Sequence, residues 1–313
     1  MPELMTAPAT RRTAQDLSKE TIRVGTLVQG NMTCARYIEQ ILGYGFESFQ
    51  LFFWQSVESI DLRQLSREVN AVLAGTGVTV SSLGIFGNPL ATREKDLETL
   101  TGWEKCIDAA PLFNCDIVAG FAGRVVDKPI DESIPVFTKV FTPLTARAKA
   151  NGVRMAIENC DMGGSWSGGD WNFAHSPESW EMMFNAVPAE NLGLEWEPCH
   201  QIVSLIDPLP QLRKWVSKVV HVHGKDASVQ WDVLRTYGLR GNKSYVQHRT
   251  PGFGDTNWTD VVSILRAGGF KGSIDIEGWH DPVYRGELEM TGQVSGLNYL
   301  KRSRGGNFVP NPS

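Results

Sequence analysis

Glu158, Glu197, His223 and Glu277 each stand near the end of a short apolar run: VRMAIEN (153–159), LGLEWEP (192–198), KVVHVHGKD (218–226) and GSIDIEG (272–278). Two residues earlier in the same runs stand Ala156, Glu195, His221 and Asp275. The alternate positions are Ile157, Leu194, Trp196, Val220, Val222, Ile274 and Ile276. Side chains alternate faces along a strand, so the polar residues share one face and the apolar ones the other. Burying that many unpaired charges costs on the order of several kcal/mol each, and a divalent cation neutralises them most economically. Three carboxylates and an imidazole form a mostly oxygen donor set that suits Mn²⁺ best, with Mg²⁺, Co²⁺ or Zn²⁺ as alternatives. Glu195, His221 and Asp275, one layer beneath, then orient those ligands. The plainer alternative places Glu158, Glu197 and Glu277 against helices or in solvent. Four residues obeying one geometric rule argue against it.

The elements that must bring these residues together follow a regular rhythm. Strand-like runs at 22–28, 46–53, 78–86 and 116–122 precede the four above. Helical patterns lie between strands at 33–42, 60–74, 92–109, 133–150, 176–187, 208–216, 257–268 and 288–302, and Gly152, Gly269 and Gly272 punctuate the returns to strand. Alternating strand and helix implies parallel strands joined by right-handed crossovers. Units of this number and size predict an α/β fold, a single (β/α)₈ TIM barrel with extended βα loops on the C-terminal face. An open doubly wound sheet is the runner-up. Its glycine-rich phosphate loop is missing, because the first strand runs into TLVQGNMTC. The expected organisation is a mobile N-terminal arm over 1–20, the barrel over 21–303 and a C-terminal tail over 304–313.

Composition narrows the function classes. The chain has 313 residues, 42% hydrophobic and 21% charged, which is globular and neither fibrous nor disordered. Thirty basic and 35 acidic residues give a net charge of −5 with no basic run, so no nucleic-acid partner is expected. The cysteines Cys34, Cys106, Cys115, Cys160 and Cys199 are scattered and never spaced as CxxC. A reducing compartment is therefore expected rather than a disulfide framework. No apolar run reaches signal or membrane length, which predicts a cytoplasmic protein with no membrane partner.

Several fragments resemble one family in order and spacing: the sugar isomerase and epimerase superfamily of xylose isomerase-like TIM barrels, which includes ketose 3-epimerases and inosose dehydratases. MAIEN (155–159) resembles the fifth-strand motif whose Glu binds metal, which implies that role for Glu158. GLEWEPCH (193–200) resembles a sixth-strand motif of the form GLxxDPxH, implying Glu197 as a ligand and His200 as a substrate contact. HVHGKD (221–226) is similar to the seventh-strand HxHxKD pattern, with His223 as the ligand. PGFGDTNW (251–258) resembles the turn before the last helix, and SIDIEGW (273–279) the final strand with its ligand Glu277. The resemblance runs from about Ile22 to Leu300. Two departures matter. Glu197 replaces the usual Asp with a side chain one methylene longer, which leaves Glu195 open as a participant. Gln50 in FQLFF stands where the family often has Glu, which puts a proton-transfer role there in doubt. The histidine-rich type IV endonuclease branch fits poorly, since this chain holds only six His residues.

Two long loops border the expected site. The segment 159–180 is rich in Gly and Trp, which suggests a substrate lid in which Trp166 or Trp171 stacks on a ring; the alternative is a loop packed by its own aromatics. The insertion 227–251 carries cations of which His248 and Arg249, beside the PGFGD turn, are singled out to clamp a substrate oxygen. The rest reads as solvated loop. Lys225 and Asp226, next to His223, are candidate substrate contacts, and Trp279 and His280 candidate walls. Cys160 and Cys199 read as packing residues.

Such a site supports proton abstraction next to a carbonyl, with the cation as Lewis acid stabilising an enediolate and two carboxylates exchanging protons. By resemblance, Glu158 and Glu277 are both ligands and the acid–base pair. The expectation is a metal-dependent isomerase or epimerase acting on a small sugar or keto-sugar, with a homo-oligomer open. One alternative is a lyase: an inosose-type dehydratase, or a 3-keto-C-glycoside deglycosidase subunit that needs a smaller partner chain. An alternative of another class is a non-catalytic sugar-binding barrel.

Overall fold

The computed structural model describes residues 21–57 and 59–312; the arm expected over 1–20 lies outside them. Its strands are β1 (Ile22–Gln29), β2 (Ser48–Trp54), β3 (Thr79–Phe86), β4 (Ile117–Gly120), β5 (Arg154–Glu158), β6 (Leu192–Trp196), β7 (Val219–Gly224), β8 (Asp226–Val229), β9 (Val246–Arg249) and β10 (Gly272–Ile276). The helices are α1 (Cys34–Ile41), α2 (Leu62–Leu73), α3 (Leu97–Ala109), α4 (Ile130–Ala150), α5 (Pro177–Ala186), α6 (Pro198–Val203), α7 (Pro208–Trp215), α8 (Trp231–Tyr237), α9 (Trp258–Ala267) and α10 (Glu289–Ser303). A closed parallel barrel runs β1-β10-β7-β6-β5-β4-β3-β2. It closes where Ile22 pairs with Gly272 and Thr26 with Ile276. The fold is the expected single (β/α)₈ barrel.

Sequence accounts locally for most of these elements. Val, Ile and Phe dominate the strands, where branched and aromatic side chains pack well on a pleated surface. Asp61 starts α2 by accepting from the backbone N–H groups of Arg63 and Gln64. Ser176 and Ser179 bond reciprocally at the start of α5, with Pro177 at its first position. The helix-facing parity of the late strands is buried: Ile157, Leu194, Trp196, Val222, Ile274 and Ile276 join Trp103, Trp180 and Trp258 in one core. Each such side chain contributes about 1.5–3 kcal/mol when removed from water.

At the N-terminal end of the barrel, Arg304 ion-pairs with Glu47, with Nη1 2.5 Å from Oε2, and donates to the Ile22 carbonyl. The first residue of the segment read as a tail is thus buried against the barrel floor.

The run 218–226, read as one strand, is divided. β7 ends at Gly224, and Lys225 turns toward the carboxylates of Glu197 and Glu277. Asp226 begins β8, which pairs antiparallel with β9 in a separate two-stranded sheet. The insertion expected to be mostly solvated loop therefore carries a hairpin and α8. Asp226 anchors the break by accepting from the Ala227 and Thr256 backbone N–H groups and from Trp258 Nε1.

Candidate functional site

Four elements deliver the polar cluster at the C-terminal end of the barrel. Glu158 ends β5, Glu197 caps α6 just beyond β6, His223 lies in β7 and Glu277 follows β10. One donor atom from each lies within 4.8 Å of the other three. His223 Nδ1 is the common centre, 3.1 Å from Glu158 Oε1, 3.5 Å from Glu277 Oε2 and 3.6 Å from Glu197 Oε2. All four side chains are buried.

Beneath them, His221 bridges two carboxylates, with Nδ1 2.8 Å from Glu195 Oε1 and Nε2 2.8 Å from Asp275 Oδ2. Ser48 donates to Asp275 Oδ1 at 2.5 Å, and Ser81 donates to its other oxygen. Ser81 is the extra residue of a bulge where β2 meets β3, between the Phe49–Val80 and Gln50–Ser82 pairs. Gln50, opposite that bulge, links the two layers. Its Nε2 donates to Glu195 Oε1 at 2.5 Å, and its Oε1 accepts from His223 Nε2 at 2.7 Å. With Nε2–H engaged there, Nδ1 is the ring nitrogen turned toward the three carboxylates of the cluster.

The electrostatics follow from burial and charge. Burial raises the Glu158 carboxyl well above its ordinary range, and the Glu197 and Glu277 charges add to this against the His223 interaction. Burial also acts upward on Glu197, but His200, Lys225 and His223 outweigh it and hold it well below. Glu277 ends near 2 because Lys225 and His280 overcome burial and the Glu197 charge. Against the burial penalty on their charged forms, the carboxylates hold His223 and Lys225 well above their ordinary values. The cluster thus neutralises its carboxylates with protons on Glu158, His223 and Lys225. Neither oxygen of Glu197, nor Oε2 of Glu277, accepts a hydrogen bond. Buried carboxylate oxygens without a hydrogen bond, beside an imidazole nitrogen that a metal ion can deprotonate, fit a hard divalent cation.

The cluster floors a cavity of about 590 Å³. His200, Lys225 and His248 line it as the sequence suggests, as do Trp279 and His280. His200 Nε2 is 3.2 Å from Glu197 Oε1. Burial together with Lys225 lowers His248 to about 4, and burial lowers His200.

Other expectations are corrected. Asp226 spends its oxygens holding the turn into β8 and does not line the cavity, and Arg249 ion-pairs with Asp281 at 3.1 Å instead. Trp166 is exposed on the outer loop, where its carbonyl oxygen accepts from Arg124. Trp171 packs on Trp54 at 5.4 Å, outside the cavity. The loop contributes Cys160, Asp161, Met162 and Gly163 to the wall, where Cys160 packs with Phe86 and Phe121.

The aromatic wall comes from the early strands: Phe52, Trp54, Phe86 and Phe121. Sequence reasoning passed over these and gave Gln50 no positive role. The available signal was parity, since Ser48, Gln50, Phe52 and Trp54 lie on one face of β2.

Comparison with known proteins places this geometry in context. A family model described as "Xylose isomerase-like TIM barrel" matches residues 38–302. The protein YfiH of Bacillus subtilis is 22% identical over 263 residues, which is 72% of this chain and 80% of that one. An inosose dehydratase of Lactiplantibacillus plantarum is 33% identical over 116 residues, covering 36% of this chain and 38% of the dehydratase. Among solved structures, the 3-keto-D-glucoside 4-epimerase YcjR of E. coli superposes with a TM-score of 0.66 at 16% identity, over 90% of this chain and 99% of that one.

Proposed function

The chain belongs to the xylose isomerase-like TIM barrel family, and from that premise we propose that it is a divalent-metal-dependent isomerase or epimerase of keto-sugars. The observation that carries this reading is the buried set Glu158, Glu197, His223 and Glu277, with undonated carboxylate oxygens, open to a cavity of sugar-accommodating size. These residues would hold the ion, for which three carboxylates with one imidazole suit Mn²⁺, with Mg²⁺, Co²⁺ or Zn²⁺ as substitutes. When bound, the ion supplies Lewis-acid stabilisation of charge developing on the substrate oxygens.

The chain's own groups move the proton. Glu158, ending β5, and Glu277, following β10, both reach the cavity, and they are the two carboxylates assigned to the two sides of a sugar carbon. Lys225 Nζ, 3.0 Å from Glu277 Oε1 and 3.4 Å from Glu197 Oε1, keeps Glu277 ionised and ready to accept a proton. Glu158, at the end of β5, is the group assigned to return it. His200, His248 and Lys225 offer hydrogen bonds to sugar hydroxyls, while Phe52, Trp54 and Trp279 cover the ring and exclude water.

The second reading is a lyase that expels a substituent instead of returning the proton. The aligned inosose dehydratase and the aromatic wall, which suits an apolar leaving group, favour keeping it. One experiment separates the readings. Protein loaded with Mn²⁺ is incubated with a panel of ketohexoses and keto-inositols in deuterated water and followed by NMR. Deuterium entering next to the carbonyl without loss of a substituent supports the isomerase or epimerase. Elimination supports the lyase. Neither exchange nor elimination, in protein holding about one ion per chain, refutes both and leaves a sugar-binding barrel.

A further inference from the structure

The candidate active-site cavity adjoins a second one across Phe52 and Trp279. This neighbour has a volume of about 410 Å³ and shares Leu27, Gln29, Phe52 and Trp279 with the first. Phe52 and Trp279 form the partition, with ring centroids 5.3 Å apart. Trp279 sits at φ 48°, in the left-handed region. A bulky residue stays there only where its surroundings hold it, and such strain concentrates at ligand clamps. Its neighbour Gly278 packs so closely on Gln293 that a Cβ would lie 2.6 Å from that side chain. The indole is thus held in place between two cavities while remaining 36% exposed.

The far side of the second cavity comes from the start of α1 and the start of α10. Asn31, Thr33, Tyr37 and Glu289 line it there, with Asn31 Oδ1 accepting from the Thr33 hydroxyl at 2.6 Å and Glu289 Oε1 from Gln293 Nε2 at 3.0 Å. Amide, hydroxyl and carboxylate groups around an aromatic face are what a pyranose needs, with ring C–H groups on the indole and hydroxyls on the polar rim. No Lys, Arg or His lines this cavity among the described residues, and Glu289 repels anions. A phosphorylated or acidic group therefore fits poorly. Together the cavities approach roughly 1,000 Å³, the upper end for small-molecule sites and more than one hexose fills.

Resting on the keto-sugar reading, we propose that this cavity is a subsite for a second, uncharged sugar ring. The substrate class is then a glycosylated keto-sugar, with the keto ring over the carboxylate cluster and the glycosyl ring beyond Trp279.

The test is calorimetric titration of the Mn²⁺-loaded protein with D-fructose and with its glucosides turanose, leucrose and isomaltulose. Wild type is compared with Tyr37→Ala and Glu289→Gln, two separate changes on the far wall, so that one poorly folded variant leaves the other informative. At least one glucoside is expected to bind about tenfold or more tightly than D-fructose, a preference that falls toward unity in both variants. The proposal is overturned if no glucoside outbinds the free sugar, or if the preference survives both substitutions. Failure of the underlying reading looks different: the protein takes up no Mn²⁺, or binds neither D-fructose nor D-psicose, D-tagatose or L-sorbose. That result removes the premise and overturns the subsite with it.

Discussion

Replacing Gln50 with Ala tests how the ring of His223 is held. The fully buried Gln50 accepts from His223 Nε2 at 2.7 Å and donates to Glu195 Oε1 at 2.5 Å. Truncation leaves one buried donor and one buried acceptor short of a partner, each a loss of about 1–3 kcal/mol. Glu195 Oε1 lies 3.2 Å from His223 Nε2 and takes over part of the lost bond, which puts the total toward the lower end, about 2 kcal/mol. For a chain of this size that lowers Tm by roughly 4 °C. The larger effect is expected on metal affinity. Without the Gln50 acceptor the imidazole is free to rotate or change tautomer, and loss of such an orienting partner costs about 10–100-fold. Mn²⁺ titration by calorimetry, with melts in metal and in chelator, reads both effects. Gln50→Glu separates orientation from charge, because it keeps an acceptor for His223 while setting a like charge beside Glu195. A Gln50→Ala protein that binds Mn²⁺ within about twofold of wild type, with an unchanged Tm, refutes the orienting role.

Glu158→Gln and Glu277→Gln are each expected to lower turnover about 10²–10⁴-fold, since each loses a ligand charge and a proton carrier together; near-normal kinetics with unchanged metal content rules out the role of the residue concerned. His200→Ala is expected to weaken substrate binding or turnover while the metal stoichiometry, read on the same preparation, stays at the wild-type level. Loss of metal would instead make His200 a ligand. At the barrel floor, burial raises the Glu47 pKa but Arg304 and Lys301 more than offset it, so the folded value lies below the unfolded one. That contribution is present above the unfolded value of about 4.3 and fades as pH falls through the lowered one. Glu47→Gln is therefore expected to cost about 3–5 kcal/mol at pH 7, with a smaller further fall in Tm on acidification than the wild type shows. Equal acid sensitivity in both proteins would count against the pair.

Much of the site was legible because a strand has a period of two and a barrel gathers its strand ends. Counting parity in four late strands picks out Glu158, Glu197, His223 and Glu277, which the barrel gathers within 4.8 Å of one another, and separates the layer of Glu195, His221 and Asp275 beneath them. The caps at Asp61 and Ser176 are local in the same way, since a cap is satisfied within a few residues of itself. Long-range and loop geometry were not. Gln50 acquires its role from partners 145 and 173 residues away, which meet it only once the barrel closes beside a bulge. Phe52, Trp54, Phe86 and Phe121 read as core in any strand, and only their height in the barrel turns them into a cavity wall. Trp166 and Trp171 carried the composition of a lid, but Arg124 holds the loop by the Ser165 and Trp166 carbonyls, and Trp171 packs on Trp54 outside the cavity. Asp226 and Arg249 carried the right charges and lost them to local partners, the turn into β8 and Asp281. Local periodicity thus determined which residues face inward; the closure of the barrel and the competition for hydrogen bonds decided which of them meet.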